Sequence, residues 1–427
     1  MSPTHVVVLG SGFAGLETAF ALRALANPDR VRITLVSDRD DFLFRPDGIY
    51  LPFGAAEAPL HVPLAKPLRR REIEARVAIA EGVDTQRGVV HTSHEPVPYD
   101  HLVIATGAAM RPEEVPGLAE YARTVWTPGQ LHALGEQLQW VAQHARHGRL
   151  QQVLFLVPPG NKCAGPLYEI TLMLDTWLRR REVRDNVQIA FATSERSFVQ
   201  AFGPKLHDVV AAEFAARGIE GRTGVEPDKV SELEVAFTDG SAQEFDLLVA
   251  FPPYVAAQRF EGLPADDRGF LVCEERKREV LGHPGVYAPG DAGDFPVKQA
   301  FLALLQAQAV AGQIAADAGV HLPGPGFEPV STCVLEMFDK ATFAQVPLSV
   351  TGDPVRPVVV DQDALEHYRV GTSALWRLGK KALGTYVPGR FRAGLPVHAG
   401  AGWDSMAFGL RGATVGWPGE PEAVHQS

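Results

Sequence analysis

Cysteine is scarce in this chain: Cys163, Cys273 and Cys333 are the only three in 427 residues. Three thiols make no disulfide framework, so burial of apolar surface must hold the fold. Positive charge is short as well. Forty Lys and Arg stand against 51 Asp and Glu, a formal net charge of −11, so the cationic footprint of a general nucleic-acid binder is missing. There is no long apolar run either. The longest, 247–257, contains Pro252 and Pro253 and falls short of the roughly 18 residues a membrane-spanning helix needs. The opening Met1-Ser2-Pro3-Thr4-His5 lacks the basic and apolar regions of a secretory leader, which reads as a cytoplasmic start. No metal site is read. With 46% hydrophobic residues the chain is not disordered, and its length predicts two or three domains of roughly 150 residues.

What is present begins with an apolar, β-branched run at 6–9, the pattern of a strand buried on both faces. It ends in Gly10-Ser11-Gly12-Phe13-Ala14-Gly15, followed by helical spacing over 16–25 and a second strand at 31–36. That order is one βαβ unit. In such a turn Gly10 permits the tight bend, Gly12 lets backbone approach a pyrophosphate, and Gly15 lets helix pack on strand, while the helix start at Phe13 and Ala14 faces the phosphate charge. Ser37-Asp38 falls where an acidic ribose ligand is expected, about 20 residues on. These residues predict dinucleotide binding. The plain alternative is a glycine turn in an ordinary α/β domain.

Two later segments repeat a strand-into-glycine plan: Tyr99 to Ala105-Thr106-Gly107, and Gly285 to Gly290-Asp291 ahead of a helical stretch at 299–318. They resemble the paired signatures of flavoproteins with tandem dinucleotide-binding domains. The resemblance implies FAD, with Ala105-Thr106-Gly107 passing its nucleotide half and the aspartate of Gly290-Asp291 on its ribityl or phosphate region. Asp291 also suits a helix N-cap. Between these signatures lies a second unit: a strand at 152–157, a helix at 166–181 and a strand at 187–192. Its turn reads Pro158-Pro159-Gly160-Asn161-Lys162-Cys163-Ala164-Gly165, where a nicotinamide cofactor would need donor-rich backbone, so NAD(P)H binding is not expected. Cys163, just before a helix start and beside Lys162, is expected to have its thiol pulled from about 8.5 toward 7. A lone cysteine otherwise reads as a small buried hydrophobe.

Cys163-Ala164-Gly165-Pro166-Leu167-Tyr168-Glu169 resembles the cysteine-centred motif of sulfide:quinone oxidoreductases and the related flavocytochrome c sulfide dehydrogenases. Phe42-Leu43-Phe44-Arg45-Pro46 is similar to that family's Phe-x-Phe-x-Pro loop, and Ser331-Thr332-Cys333 falls where the family carries its second active-site cysteine. The tail from Leu375 to Tyr386 is similar to its C-terminal amphipathic segment. The resemblance implies that Cys163 and Cys333 form a redox pair beside FAD, take sulfide to zerovalent sulfur, and pass electrons to a quinone. It places Lys298 near the flavin's pyrimidine edge, where a cation would stabilise the reduced flavin; a solvated connector lysine is the alternative. Cys273 has no counterpart and reads as structural. Departures are visible: no third cysteine lies near Arg123-Thr124-Val125-Trp126, and Ser197 to Phe202 lacks the family's histidines.

The fold expected is α/β, with two tandem Rossmann-like dinucleotide-binding domains and a C-terminal amphipathic segment. The FAD domain is discontinuous, at 1–110 and 251–325, around a second domain at 111–250 carrying Cys163; a membrane- or partner-facing region follows at 326–427. Within 369–392, Arg369, Arg377, Lys380, Lys381, Arg390 and Arg392 meet no acid and alternate with apolar residues, which suits an anionic membrane surface such as the inner face of the cell membrane. A helix packed on its own domain is the alternative. Two further functions stay open: a type II NADH:quinone dehydrogenase, and a flavoprotein electron-transfer partner or scaffold without sulfide turnover.

Overall fold

The computed structural model describes residues 2–322, 324–353 and 356–398. Val6, Val7, Val8 and Leu9 are fully buried in the strand Thr4–Leu9, as an apolar run without alternation requires. That strand is the centre of a five-stranded parallel sheet ordered Val286–Tyr287, His101–Ile104, Thr4–Leu9, Val31–Ser37, Ile73–Val77. The chain therefore leaves this sheet after Ile104 and returns to it at Val286. The crossover helix Phe13–Leu25 packs against the helix Ala300–Asp317. Gly290 allows the close approach: a Cβ there would meet Ala14 and Ala303.

The intervening residues build a second parallel sheet, ordered Ala122–Thr124, Leu247–Ala250, Gln151–Val157, Val187–Thr193, Ile219–Arg222. A Thr127 and Gln130 capping box starts its helix Pro128–Arg146, and Gly165–Arg179 and Gly203–Arg217 complete the helices. The two connections between sheets pair with each other, Ala108–Met110 against Tyr254–Ala256.

An antiparallel sheet follows: Val330–Glu336, Ala341–Val350, Val358–Val360 and Arg369–Ser373. It is docked on the second unit through a shared apolar core, in which Leu335, Met337 and Val346 join Met173 and Trp177, and through charge. Fully buried Asp175 accepts from Arg179, Arg184 and Arg217, and Arg217 reaches on to Asp339. The basic stretch expected at 369–392 is the last of those strands followed by the helix Leu375–Arg392. Residues 399–427 of the C-terminal region lie outside the described residues. Among the described residues, no helix is long and apolar enough to cross a membrane.

Candidate functional site

A cavity of about 1370 Å³ opens outside the carboxyl ends of the first sheet's strands and extends to the Leu375–Arg392 helix. That is where open α/β sheets bind ligands, and it exceeds the roughly 300–1,000 Å³ of an ordinary small-molecule pocket. Gly10, Gly12, Phe13 and Ala14 line one end, with Ser37 and Asp38 beside them and Ala105, Thr106 and Gly107 opposite. Gly10 has φ +101°, and a Cβ there would run into the Ala105 carbonyl. Gly15 is as constrained, against Gly10, and a Cβ at Gly12 would meet no protein atom. Gly12 is thus unexplained by packing and explained by a ligand at the start of the Phe13–Leu25 helix. Gly15 and Gly290, expected among the cofactor contacts, do not line the cavity and serve helix packing instead.

Asp291 lies in a single 3-10 turn in the same cavity, and burial pushes its carboxyl up against the pull of Lys298 and Arg45. Arg45 was not singled out from the sequence. Its guanidinium sits 4.3 Å over the Trp126 ring and lines the cavity, the one arginine of the Phe42–Pro46 loop turned toward it. The glycine cradle, the cation and the cavity's extent fit FAD. Lys298 is not a solvated connector residue. It is buried, its ammonium donates to the Gly293 carbonyl and lies 3.8 Å over Phe270, and desolvation lowers it to about 7.

Cys163 and Cys333 line this cavity too, from different elements: Cys163 before the Gly165–Arg179 helix, Cys333 on the strand Val330–Glu336. No disulfide joins them here. The expected acidity of Cys163 is corrected. Desolvation by the cavity walls pushes its thiol up to about 12, outweighing the Gly165 N–H that hydrogen-bonds the sulfur. Burial pushes Cys333 higher still. Cys273 is buried in the core of the first sheet, its thiol near the Leu271 carbonyl.

Part of the basic stretch in the tail turns inward. Lys380 is buried and donates to Glu169 and, at 2.9 Å, to the Val334 carbonyl next to Cys333. Arg377 pairs with buried Glu336 at 2.7 Å, and Trp376 stacks on Phe343 with centroids 4.6 Å apart. These groups face inward, leaving Leu375 and Leu378, 72% and 63% exposed, beside Lys381 on the outer face. Glu169 also accepts from the Glu336 N–H at 2.8 Å, so helix, strand and tail meet at one carboxylate whose pKa burial raises. The Glu169–Lys380 pair, both members lining the cavity, is the feature sequence reading missed; 211 positions separate the two residues.

Paired parallel sheets with a glycine cradle at the carboxyl end of the first sheet's central strand define the class of α/β proteins with two Rossmann-like dinucleotide-binding domains. Within it, residues 4–140 match the pyridine nucleotide-disulphide oxidoreductase family. The chain is 37% identical over 237 residues to the sulfide-quinone reductase of Aquifex aeolicus, covering 53% of either chain. It is 26% identical over 236 residues to the mitochondrial sulfide:quinone oxidoreductase of Schizosaccharomyces pombe, covering 51% of this chain and 49% of the relative. The match thus spans about half the length of these two relatives. A type II NADH:quinone oxidoreductase of Mycobacterium tuberculosis is 24% identical over 315 residues, covering 67% of this chain and 66% of that one. In overall fold the chain superposes on the sulfide:quinone oxidoreductase structure from Aquifex aeolicus with a TM-score of 0.82, 23% identity and 96% of both chains covered.

Proposed function

We propose that this chain is an FAD-dependent oxidoreductase of the sulfide:quinone type, with FAD held by residues of 1–110 and 251–325. One observation carries it: a glycine cradle suited to a dinucleotide and two cysteines from separate elements open into one cavity. Bound there, FAD would supply a two-electron acceptor that a second substrate reoxidises. In the oxidised protein Cys163 and Cys333 would share a sulfur bridge. Hydrosulfide attacks one bridging sulfur, the old S–S bond breaks, a new one forms to the incoming atom, and the other cysteine leaves as thiolate. Per turnover, hydrosulfide loses two electrons and a proton to become zerovalent sulfur, and quinone gains two electrons and two protons. Lys298 would balance negative charge in the cavity. The Glu169–Lys380 pair, which shares the cavity lining with the apolar Leu383 and Val387, would hand protons to a quinone bound there.

Peripheral attachment to the inner face of the cell membrane is part of the same reading, and it rests on exposed Leu375 and Leu378 with Lys381 beside them. A type II NADH dehydrogenase is the second reading, favoured by the Mycobacterium relative. Against it, Pro158 and Pro159 occupy the second nucleotide turn and Arg268 packs onto Gly160 there while pairing with Glu114. Cys163→Ser and Cys333→Ser are each expected to keep FAD and lose sulfide-dependent flavin bleaching. Parental bleaching in both variants would end the sulfide mechanism.

A further inference from the structure

The turn that carries Cys163 is poor in its own hydrogen bonds. Pro158 and Pro159 have no N–H, and Gly160 adopts φ +80°. Two backbone bonds tie the turn to its surroundings: Tyr254 N–H donates to the Gly160 carbonyl at 3.0 Å, and Lys298 N–H to the Lys162 carbonyl at 3.2 Å. The third tie is a side chain. The Asn161 amide nitrogen donates to the Phe251 carbonyl at 3.0 Å and the Pro252 carbonyl at 3.2 Å, while its oxygen accepts the Cys163 N–H at 2.9 Å. Turning the amide over would set its oxygen against two carbonyl oxygens and its nitrogen against the Cys163 N–H, so one orientation is fixed. Phe251 and Pro252 begin the crossover that leads from the second sheet back toward the first.

We infer that Asn161 is a positioning residue for Cys163: its carboxamide anchors the cysteine's backbone to the crossover and so sets where the sulfur sits in the cavity. The inference rests on the sulfur-handling role of Cys163 and deepens it. An anchor of this kind matters because misplacing a reacting atom by about 1 Å can cost on the order of 100-fold in rate. Asn161's hydrogen bonds run to Phe251, Pro252 and Cys163, and none goes to the cradle glycines or to the Gly165–Arg179 helix.

The test uses the full-length flavin-loaded protein and Asn161→Ala, with Asn161→Asp alongside, which keeps the acceptor for Cys163 N–H but loses both donors. Sulfide-dependent bleaching should slow by about 10- to 100-fold in both, with FAD content unchanged. Independently of turnover, in protein first reduced anaerobically so that both thiols are free, the rate and pH profile of Cys163 alkylation by iodoacetamide, read by mass spectrometry, should shift while those of Cys333 stay put. A Cys163→Ser control separates the two claims. If that control bleaches at the parental rate, the sulfur role of Cys163 fails. The inference about Asn161 is overturned if either folded variant keeps the parental alkylation rate and pH profile at Cys163.

Discussion

Gly10 shows what a single residue can reveal. Its positive φ and the Ala105 carbonyl leave no room for a methyl group, so Gly10→Ala should destabilise the protein by more than about 1 kcal/mol and strip it of FAD. Flavin absorbance per chain and the unfolding midpoint check both; a parental flavin ratio would contradict the cradle. Cys273→Ser should leave bleaching by sulfide nearly unchanged, because the residue lies in the core of the first sheet and its side chain is not part of the cavity lining. Gly10 was readable because the conformation a glycine supplies in a strand-to-helix turn is a local property. Lys380 was not. A lysine in a basic stretch looks solvated until its partner is known, and Glu169 lies in the Gly165–Arg179 helix, 211 positions earlier. The acidity of Cys163 failed for a related reason: the helix start is local and legible, whereas the desolvation that outweighs it comes from walls distant in sequence.

At the scale of elements, the Leu375–Arg392 helix is held by what it buries. Lys380→Ala would leave Glu169 buried without its cation, a loss of about 3–5 kcal/mol, visible as a lowered midpoint in denaturant. Leu375→Ser with Leu378→Ser should weaken binding to anionic vesicles without touching that pair; unchanged partition would show the outer face to be merely solvated. The segment after this helix gives a pH signature. Glu17, fully buried in the Phe13–Leu25 helix, accepts the Val397 N–H at 2.7 Å and the His398 N–H at 3.3 Å, and burial raises its pKa to about 7. The folded state then holds a proton that the unfolded chain, titrating near 4.5, has released. Stability should therefore fall as pH rises from about 4.5 to 7, by about 3 kcal/mol at most, and Glu17→Gln should flatten that slope. Equal slopes in both proteins, measured by denaturant titration across that range, would remove Glu17 from the account.

For the whole molecule, the strands and crossover helices followed from period and glycine punctuation, because each strand of a parallel sheet buried on both faces is a short apolar run. What period cannot supply is which runs are neighbours. The return of Val286–Tyr287 to the edge of the first sheet, and the seating of Cys333 in the cavity that Gly10 begins, depend on contacts between distant segments. The most direct test of the account is anaerobic reduction of the flavin-loaded protein, with sulfide and NADH offered separately and a quinone added last. Stoichiometric bleaching by sulfide, none by NADH, and recovery of the oxidised spectrum on adding quinone is the predicted result. Rapid bleaching by NADH with no response to sulfide would contradict it.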